Sequence, residues 1–228
     1  MNKDCPVIDT AQMQRVGGQI GSNPAGIYQD NRGRRYYVKM LESAAHVRNE
    51  FIAAKLYQLA GAPTLSYLPT SHPCQIATEW VQLDKRYIAH FTESERKQAQ
   101  RWFGVHAWTA NWDAAGFSGD NQGVVDGRVV TLDLGGALAF RAQGDPKGKA
   151  FDICVNELDR LRSKEGNPQA FKLFADMSAD QIRLAIDMVV AIPNAQIQQA
   201  IIDNGGSPKL AEKMNARKAD MEIRKSLL

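Results

Sequence analysis

The sequence has few cysteines and no arrangement of them that would build a disulfide framework. Cys5, Cys74 and Cys154 lie far apart, form no C-x-x-C pair and are odd in number, a pattern typical of a reducing compartment. The amino-terminal residues contain no apolar stretch of the kind found in secretory signal peptides. No apolar run approaches the roughly 18 residues that a membrane span requires. We therefore expect a cytoplasmic protein without a transmembrane segment, with delivery into a host cell by a signal-peptide-independent route left open.

Several familiar site signatures are also missing. Four histidines show no H-E-x-x-H or comparable metal-binding spacing, and there is no G-x-S-x-G nucleophile motif. His106 is therefore predicted to pack in a helix core. The formal net charge of +3 over 228 residues is too small to indicate a nucleic-acid partner. These absences argue against a zinc hydrolase, an α/β-type serine hydrolase and a nucleic-acid-binding protein.

The first 90 residues mix strand-like runs with one strong helix. QRVGGQI and GIYQ are strand candidates, and the turn DNRG joins GIYQ to RRYYVKM as a hairpin. HVRNEFIAAKLYQLAG predicts a helix that ends at Gly61, with Pro63 just beyond. CQIATEWV, residues Cys74 to Val81, predicts a further strand. This part of the chain is therefore expected to form a small antiparallel sheet with one helix.

The second part is predicted to be mostly helical, so that the fold class is α+β. Its hairpin, GVV-DGR-VVTLD, interrupts the helices near their start. Residues with N-cap preferences mark three helix starts: Thr92 with Glu95 before a helix to about Ala110, Ser178 with Gln181 before a helix to Val190, and Ser207 with Pro208 before the last helix. Neither repeats nor a low-complexity linker divide the chain, which favours one domain.

Two charged residues fall on inward-facing positions. Lys39 lies in the predicted strand YYVKM, on the same face as Tyr37. Eleven residues later, Glu50 shares the apolar stripe of the predicted helix with Val47 and Ala54. Each residue taken alone is also consistent with a partly exposed position. Together they can neutralise one another in the interior.

The glycine-rich stretch GGQIGSNPAG lies between two strand candidates. It lacks the G-K-[ST] ending of a Walker loop and the G-x-G-x-x-G spacing of a dinucleotide fold, and no helix follows it. A loop of this kind can offer backbone N–H groups to phosphates. It is equally consistent with an ordinary hairpin connection.

Three further polar residues follow in the stretches NWDAAGFSGDNQGVV and VVTLDLGG. Asp113 precedes Asn121 by eight residues in the first, and Asp133 ends a strand before two glycines in the second. An Asp-Asn pair in a glycine-rich loop is often turn chemistry. The complete order is more specific: a strand lysine, a helix glutamate, a loop aspartate, a loop asparagine and a strand-end Asp-x-Gly.

This order resembles the atypical branch of the protein-kinase-like fold. Lys39 resembles the lysine of the third kinase strand and Glu50 the glutamate of the following helix. Asp113 resembles the catalytic-loop aspartate, Asn121 the metal-binding asparagine, and Asp133 with Leu134-Gly135 the D-F-G element. The loop is more similar to HipA-type toxin kinases and phosphatidylinositol 3-/4-kinases than to eukaryotic protein kinases. Compact kinases of bacterial effectors and phages are similar in size, and the resemblance covers roughly residues 16 to 140.

The resemblance implies two lobes in one kinase-like domain: a sheet-rich N-lobe over residues 1–82 and a reduced helical C-lobe over residues 83–228. It also implies ATP and Mg²⁺ as nucleotide and metal. The residues that it assigns are Asp113 and Lys39 for catalysis, Ile20, Gly21, Ser22, Lys39, Glu50, Glu79 and Val81 for nucleotide binding, and Asn121 and Asp133 for metal. The hinge residues Glu79 and Val81 are assigned by position.

The chain departs from the kinase pattern in its catalytic loop. N-W-D at 111–113 replaces H-R-D. Asp113 and Asn121 are eight residues apart, where kinases use about five. Either G-F-S-G lengthens the loop, or Asp120 shares the role assigned to Asp113.

A second departure follows Asp133. Leu134 replaces the phenylalanine of D-F-G, and no A-P-E sequence follows. Between Asp133 and Phe151 there is no serine or threonine. We therefore expect an enzyme that does not depend on phosphorylation of this segment for activity.

The resemblance implies a compact microbial Ser/Thr protein kinase that acts on another protein. A lipid or small-molecule kinase on the same scaffold stays open, as do adenylyl transfer and a nucleotide-binding pseudokinase. The presence of all five polar residues argues against a pseudokinase. The sequence identifies neither the substrate nor the oligomeric state.

Overall fold

A five-stranded antiparallel sheet forms the first part of the molecule in the computed structural model, which describes residues 6–21 and 23–228. Ser22, assigned above to the nucleotide site, lies outside these residues. The strand order is β1-β2-β3-β5-β4. The strands are β1 (Gln14–Gly17), β2 (Ala25–Gln29), β3 (Arg35–Met40), β4 (Tyr67–Pro69) and β5 (Gln75–Glu79). The predicted Cys74–Val81 strand is thus shorter, and β4 was not predicted.

The central strand β3 separates a small apolar core from the opposite face of the sheet. Tyr36 and Val38 are buried against Ile8 on one face. Since side chains alternate along a strand, Tyr37 and Lys39 point to the other face. The sequence alternation therefore directs Lys39 away from this small core.

Helix α1 (Ala44–Leu59) connects β3 to β4; it starts two residues before the predicted His46 and ends before Gly61, as predicted. The Ser43 hydroxyl accepts a hydrogen bond from the N–H of Ala45 at 3.2 Å. Beyond the helix, Gly61 adopts φ +77°, the left-handed conformation that favours glycine after a helix. Glu50 belongs to the buried face of α1, together with Ile52 and Ala54.

The helix predicted from Thr92 to about Ala110 is two helices, α2 (Glu93–Arg101) and α3 (Phe103–Trp108). The capping box of Thr92 and Glu95 is confirmed. The single-helix prediction is wrong because Trp102 has φ −95° and ψ 4°, so the chain turns there. All six residues of α3 are buried. The turn therefore directs α3 into the core, while α2 keeps an exposed face.

The predicted hairpin is confirmed as β6 (Gln122–Val125) and β7 (Arg128–Thr131). Its turn residues Asp126 and Gly127 have φ of 49° and 71°, as a two-residue type I′ turn requires. An isolated bridge joins Thr64 to Thr131. The strand that precedes Asp133 is thereby tied to the segment that follows α1.

Helices make up most of the remaining chain. Helix α7 packs against α1, and α6 and α8 pack on each other. The predicted starts at Ser178 and Ser207 are confirmed. The helices are α4 (Glu157–Arg160), α5 (Pro168–Phe174), α6 (Ala179–Val190), α7 (Asn194–Asp203) and α8 (Pro208–Ser226). The fold class is α+β, as predicted.

Membrane-spanning helices were searched for over residues 6–21 and 23–228. No helix in this part of the chain combines the length and the apolar character that crossing a bilayer needs.

We expect a side chain at position 104 to lower the stability of the fold. A Cβ at this position would lie 2.1 Å from the carbonyl oxygen of Ala185 in α6, so α3 and α6 would have to separate. We expect Gly104→Ala to lower the free energy of unfolding by about 1–3 kcal/mol through overpacking, despite alanine's better helix propensity of about 1 kcal/mol. Chemical denaturation measures this. Gly18→Ala is the matched control because its Cβ meets no atom within 4 Å; equal stability of the two variants would contradict the prediction.

Candidate active site

A cleft of about 640 Å³ lies between the sheet and the helical part of the chain. Lys39 projects into it from β3, and Asp133 from the residues after β7. Asp113 and Asn121 line it from the loop between α3 and β6. Four of the five polar residues singled out by the sequence thus line one cleft, and the fifth, Glu50, binds Lys39.

Lys39 is held between two carboxylates. Its Nζ donates to both carboxylate oxygens of Glu50, at 3.0 and 2.8 Å, and lies 3.3 Å from Oδ1 of Asp133. Lys39 is 8% and Glu50 2% exposed. Burial opposes the charge of Lys39, but the charges of Asp133 and Glu50 outweigh it and raise the pKa of Lys39 well above its usual value. Lys39 is therefore a fixed cation at the wall of the cleft.

Asp113 and Asn121 form a second contact in the cleft. The Asn121 amide nitrogen donates to Oδ2 and to the backbone carbonyl of Asp113, both at 2.8 Å. The eight-residue spacing is accommodated by tight turns at Gly116 and Gly119, with φ of +78° and +80°. Asp120 also lines the cleft, but Asn121 binds Asp113. Of the two aspartates, Asp113 is therefore the one that the Asn121 amide holds.

The Asp113 carboxyl has a higher pKa than an ordinary aspartate. Burial raises its pKa to about 6, while the hydrogen bond from Asn121 acts in the opposite direction. A carboxylate with a pKa near neutrality is a better proton acceptor than an ordinary surface aspartate. This carboxyl therefore changes its charge between pH 5 and pH 7.

The two glycines after Asp133 allow the chain to pass between the polar groups. A Cβ at Gly135 would lie 3.1 Å from Oε1 of Glu50, and one at Gly136 would lie 2.9 Å from Cβ of Asp113. The N–H of Gly135 donates to Oδ1 of Asp133 at 2.8 Å. The two glycines therefore allow the backbone after Asp133 to approach both Glu50 and Asp113 closely. Leu134 is fully buried in the main core.

The glycine-rich loop folds over β3. The hydroxyl of Tyr37 accepts hydrogen bonds from the N–H groups of Ile20 and Gly21, at 3.1 and 3.3 Å. Ile20 and Gly21 line the cleft. In this conformation both N–H groups point at Tyr37, and a phosphate bound there would have to replace its hydroxyl.

The residues after β5 form the far end of the cleft. Glu79 and Val81 both line it. The Trp80 N–H donates to the carbonyl of Arg35 at 2.9 Å, which extends the sheet by one residue. Leu65 and Leu132 provide apolar walls that the sequence did not single out, although Leu132 directly precedes Asp133. This end of the cleft therefore combines apolar walls with backbone polar groups.

Sequence reasoning also missed the buried residues that hold the loop carrying Asp113. Asn111 is fully buried; its Oδ1 accepts from the N–H of Asp113 at 3.2 Å, and its Nδ2 donates to the Tyr57 hydroxyl at 3.1 Å. The Tyr57 hydroxyl also bonds Nδ1 of His106 at 2.8 Å. Burial lowers the pKa of His106 to about 3, so this histidine is a neutral core residue, as predicted. The loop is thereby anchored to α1 and α3.

The donor set fits a magnesium ion. Because the nitrogen of Asn121 is used by Asp113, the amide oxygen is the end available to a cation. The Asp133 side chain is 40% exposed and offers a carboxylate. Among the described residues, no group of three or more His, Cys, Asp or Glu side chains could enclose a metal. Two oxygen ligands suit Mg²⁺, which usually keeps waters and takes other ligands from phosphates.

Similar solved structures exist, although comparison of the sequence with protein-family models and with curated proteins finds no match. The proinflammatory kinase CtkA of Helicobacter pylori is similar with a TM-score of 0.56 and 13% sequence identity, over 97% of this chain and 95% of that chain. The chain therefore has a protein-kinase-like fold, as the resemblance implied.

Two further structures align over most of the chain with lower scores. An aminoglycoside phosphotransferase from Alicyclobacillus acidocaldarius has a TM-score of 0.39 and 14% identity, covering 97% of this chain and 95% of that one. The amicoumacin kinase hAmiN, in complex with AMP-PNP, Ca²⁺ and Ami, has a TM-score of 0.43 and 8% identity, covering 96% and 90%.

The Lys39–Glu50 contact predicts a pH-dependent change in stability. In Lys39→Met, Glu50 is left as a buried carboxylate without its cation, and we expect unfolding to become easier by about 3–5 kcal/mol near pH 8. Burial raises the pKa of Glu50, so the loss should shrink as the pH falls and this carboxyl is protonated. Denaturation at pH 8 and pH 5 measures both effects.

The double variant Lys39→Met/Glu50→Leu removes both charges and is the control. We expect it to regain most of the lost stability, because replacing both members of a buried ion pair by apolar residues is often nearly neutral. A loss in the single variant that is small, or equal at both pH values, would contradict the buried pairing.

Proposed function

We propose that the chain is an ATP- and Mg²⁺-dependent phosphotransferase and that it acts as a Ser/Thr protein kinase. The observation that carries this proposal is the single cleft in which the Lys39–Glu50 ion pair, Asp133 and the Asp113–Asn121 pair meet. In this proposal residues 1–82 are the N-lobe and residues 83–228 the C-lobe. Phosphoryl transfer requires mainly positioning and charge stabilisation, which this set of side chains can supply.

The nucleotide would lie along the cleft with its phosphates at Lys39. Glu50 keeps the Lys39 ammonium in place, so that this cation faces the α- and β-phosphates. Ile20, Gly21 and Ser22 belong to the loop that would cover the phosphates. At the far end, no described residue accepts a hydrogen bond from the Val81 N–H, which leaves that group for the adenine edge, next to Glu79.

Asp133 and Asn121 would hold the metal through one carboxylate and one amide oxygen. Magnesium bound there would neutralise charge on the β- and γ-phosphates. The Asp133 carboxylate is oriented for this by the Gly135 N–H. Asn121 is oriented by its bonds to Asp113.

Asp113 would act on the acceptor hydroxyl. The hydroxyl oxygen forms a bond to the γ-phosphorus, and the bond from that phosphorus to the β–γ bridging oxygen breaks, so that ADP leaves. The hydroxyl proton passes to the Asp113 carboxylate, whose raised pKa suits it to accept. Atoms and charges balance without a further reactant.

An exposed aromatic residue supports a protein acceptor. Phe117 lines the cleft from the loop between Asp113 and Asn121, and it is 95% exposed. Its ring offers an apolar contact to a polypeptide at the place where the acceptor hydroxyl must enter. A small sugar would use less of this open edge.

Labelled ATP tests the proposal directly. The purified chain is incubated with Mg²⁺ and either γ- or α-labelled ATP, together with a panel of proteins, lipids and aminoglycosides. We expect γ-label, and no α-label, on protein serine or threonine. Label on lipid or antibiotic alone would identify a lipid or small-molecule kinase, α-label would identify adenylyl transfer, and nucleotide binding without transfer would identify a pseudokinase.

Asp133→Ala is expected to lower Mg²⁺-dependent turnover by roughly 10²–10³-fold, because the metal loses its carboxylate ligand. Asp145→Ala is the matched control, since this exposed aspartate lies twelve residues further on. Turnover is measured by γ-label transfer and folding by cooperative thermal unfolding. Full turnover in Asp133→Ala would remove this residue from the mechanism.

The raised pKa of Asp113 predicts how kcat/KM depends on pH on the acidic side. The carboxylate accepts a proton only when it is ionised, so kcat/KM should be high above pH 7 and should fall as the pH decreases through the Asp113 pKa of about 6. Asp113→Asn should lose most activity and this acidic limb. A wild-type profile that is flat between pH 5 and pH 7 would exclude Asp113 as the base.

A further inference from the structure

The segment from Ala137 to Lys147 follows the Asp133 element and lies against both parts of the molecule. We call it the post-aspartate segment. Leu138, within it, adopts φ +53°, a conformation that is unfavourable for a non-glycine residue and persists where surrounding contacts impose it. The Leu138 N–H donates to the carbonyl of Thr109 at 2.7 Å. The contacts of this segment therefore impose a defined path on it.

Helix α1 holds one side of the post-aspartate segment. The Asn49 amide donates to the carbonyl of Ala137 at 2.9 Å and accepts from the N–H of Ala139 at 3.1 Å. Asn49 is buried and directly precedes Glu50. The same helix that pairs with Lys39 therefore also binds the segment through its backbone.

Lys147 holds the other side. Its ammonium donates to three backbone carbonyls, those of Ala110, Gly136 and Leu138, each at 2.8 Å. Lys147 is 4% exposed. A buried lysine without a carboxylate among its hydrogen-bond acceptors is unusual, because burial favours the neutral amine.

The three acceptors match the protonated form. An ammonium has three N–H donors and a neutral amine has two, so only the cation satisfies all three carbonyls. Burial lowers the pKa of Lys147 to about 7; the charge of Glu157 acts in the opposite direction, and the charges of Arg217, Arg160 and Arg141 lower the pKa further. The ammonium also lies 4.9 Å from the centre of the Trp112 ring, which favours the charge further.

The carbonyls bound by Lys147 belong to the two backbone stretches that carry the catalytic carboxylates. Ala110 lies three residues before Asp113, and Gly136 lies three residues after Asp133. We propose that Lys147 is a positioning residue that fixes Asp113 relative to Asp133 by tying these stretches together. It does so without any covalent modification, consistent with a segment from 134 to 150 that contains no serine or threonine.

Lys147 acts through other residues and does not touch the nucleotide. It is absent from the described residues that line the cleft. Its loss should therefore displace the two carboxylates while leaving the Lys39–Glu50 pair and the Glu79–Val81 end of the cleft in place. A residue needed for folding alone would instead lower the amount of folded enzyme without changing its turnover per molecule.

The test rests on the proposed function for its activity readout and uses Lys147→Met. We expect kcat per folded molecule to fall on the order of 10- to 100-fold, since small misplacements of catalytic groups have effects of this size, with the KM for ATP within about threefold of the wild type. Lys149→Met is the matched control: Lys149 is exposed, and wild-type kcat is expected. Wild-type kcat in Lys147→Met would overturn the proposal.

Hydrogen exchange provides a readout that does not require activity. The N–H groups of Asp113, Gly135 and Leu138 are hydrogen-bonded within the two stretches. We expect faster exchange at these sites in Lys147→Met and unchanged exchange in α6 and α8. Should the wild type prove inactive on all acceptors, the proposed function fails, while this measurement still decides whether Lys147 orders the site. Uniformly faster exchange throughout the chain would overturn the positioning role.

A chemical variant covers the case in which Lys147→Met does not fold. Lys147→Cys, in a chain whose three native cysteines are replaced by serine, is alkylated in denaturant with bromoethylamine or with bromopropane and then refolded. The first adduct restores an ammonium at the lysine position, and the second is a neutral group of equal length. We expect the aminoethyl form alone to regain near-wild-type kcat or local protection. Equal behaviour of the two forms would overturn the proposal.

Discussion

The buried ion pair between Lys39 and Glu50 is the constraint on which the arrangement of the cleft depends. An ammonium with 8% exposure and a carboxylate with 2% exposure are each costly to bury alone, and each is tolerated because the other lies within 3 Å. The pair fixes α1 against β3. Since Asp133 contacts the same ammonium, the sheet, the helix and the end of β7 are brought to one point.

Close backbone approach is the second requirement of the site. Gly135 and Gly136 lie where a Cβ would come within 3.1 Å of Glu50 and 2.9 Å of Asp113, so the chain can pass between the ion pair and the catalytic loop. The loop is held from behind by Asn111, whose amide links the Asp113 N–H to the Tyr57 hydroxyl. Side chains on α1 thus organise both the cation and the loop.

The parts of this structure that could be predicted from sequence rest on local patterns. Alternation placed Lys39, helical periodicity placed Glu50 on the buried face, and side-chain caps marked the starts of α2, α6 and α8. The break at Trp102 was missed because it serves the packing of α3 on α6, which joins residues about 80 positions apart. Lys147 was missed because its partners are backbone carbonyls. Every residue has a backbone carbonyl, so the sequence does not show which ones a lysine will bind.

Contacts to backbone add to the side-chain pairs of the cleft in a chain that carries little of the usual kinase motif. CtkA shares the fold at 13% identity, and in this chain N-W-D stands at 111–113 and Leu134 follows Asp133. A hydrogen bond from a side chain to a backbone carbonyl restricts the amino-acid identity of one residue. A bond between two side chains restricts the identity of both residues. The contacts that Asn49, Asn111 and Lys147 make to backbone therefore leave the identity of their partner residues free, whereas the Lys39–Glu50 and Asp113–Asn121 pairs do not.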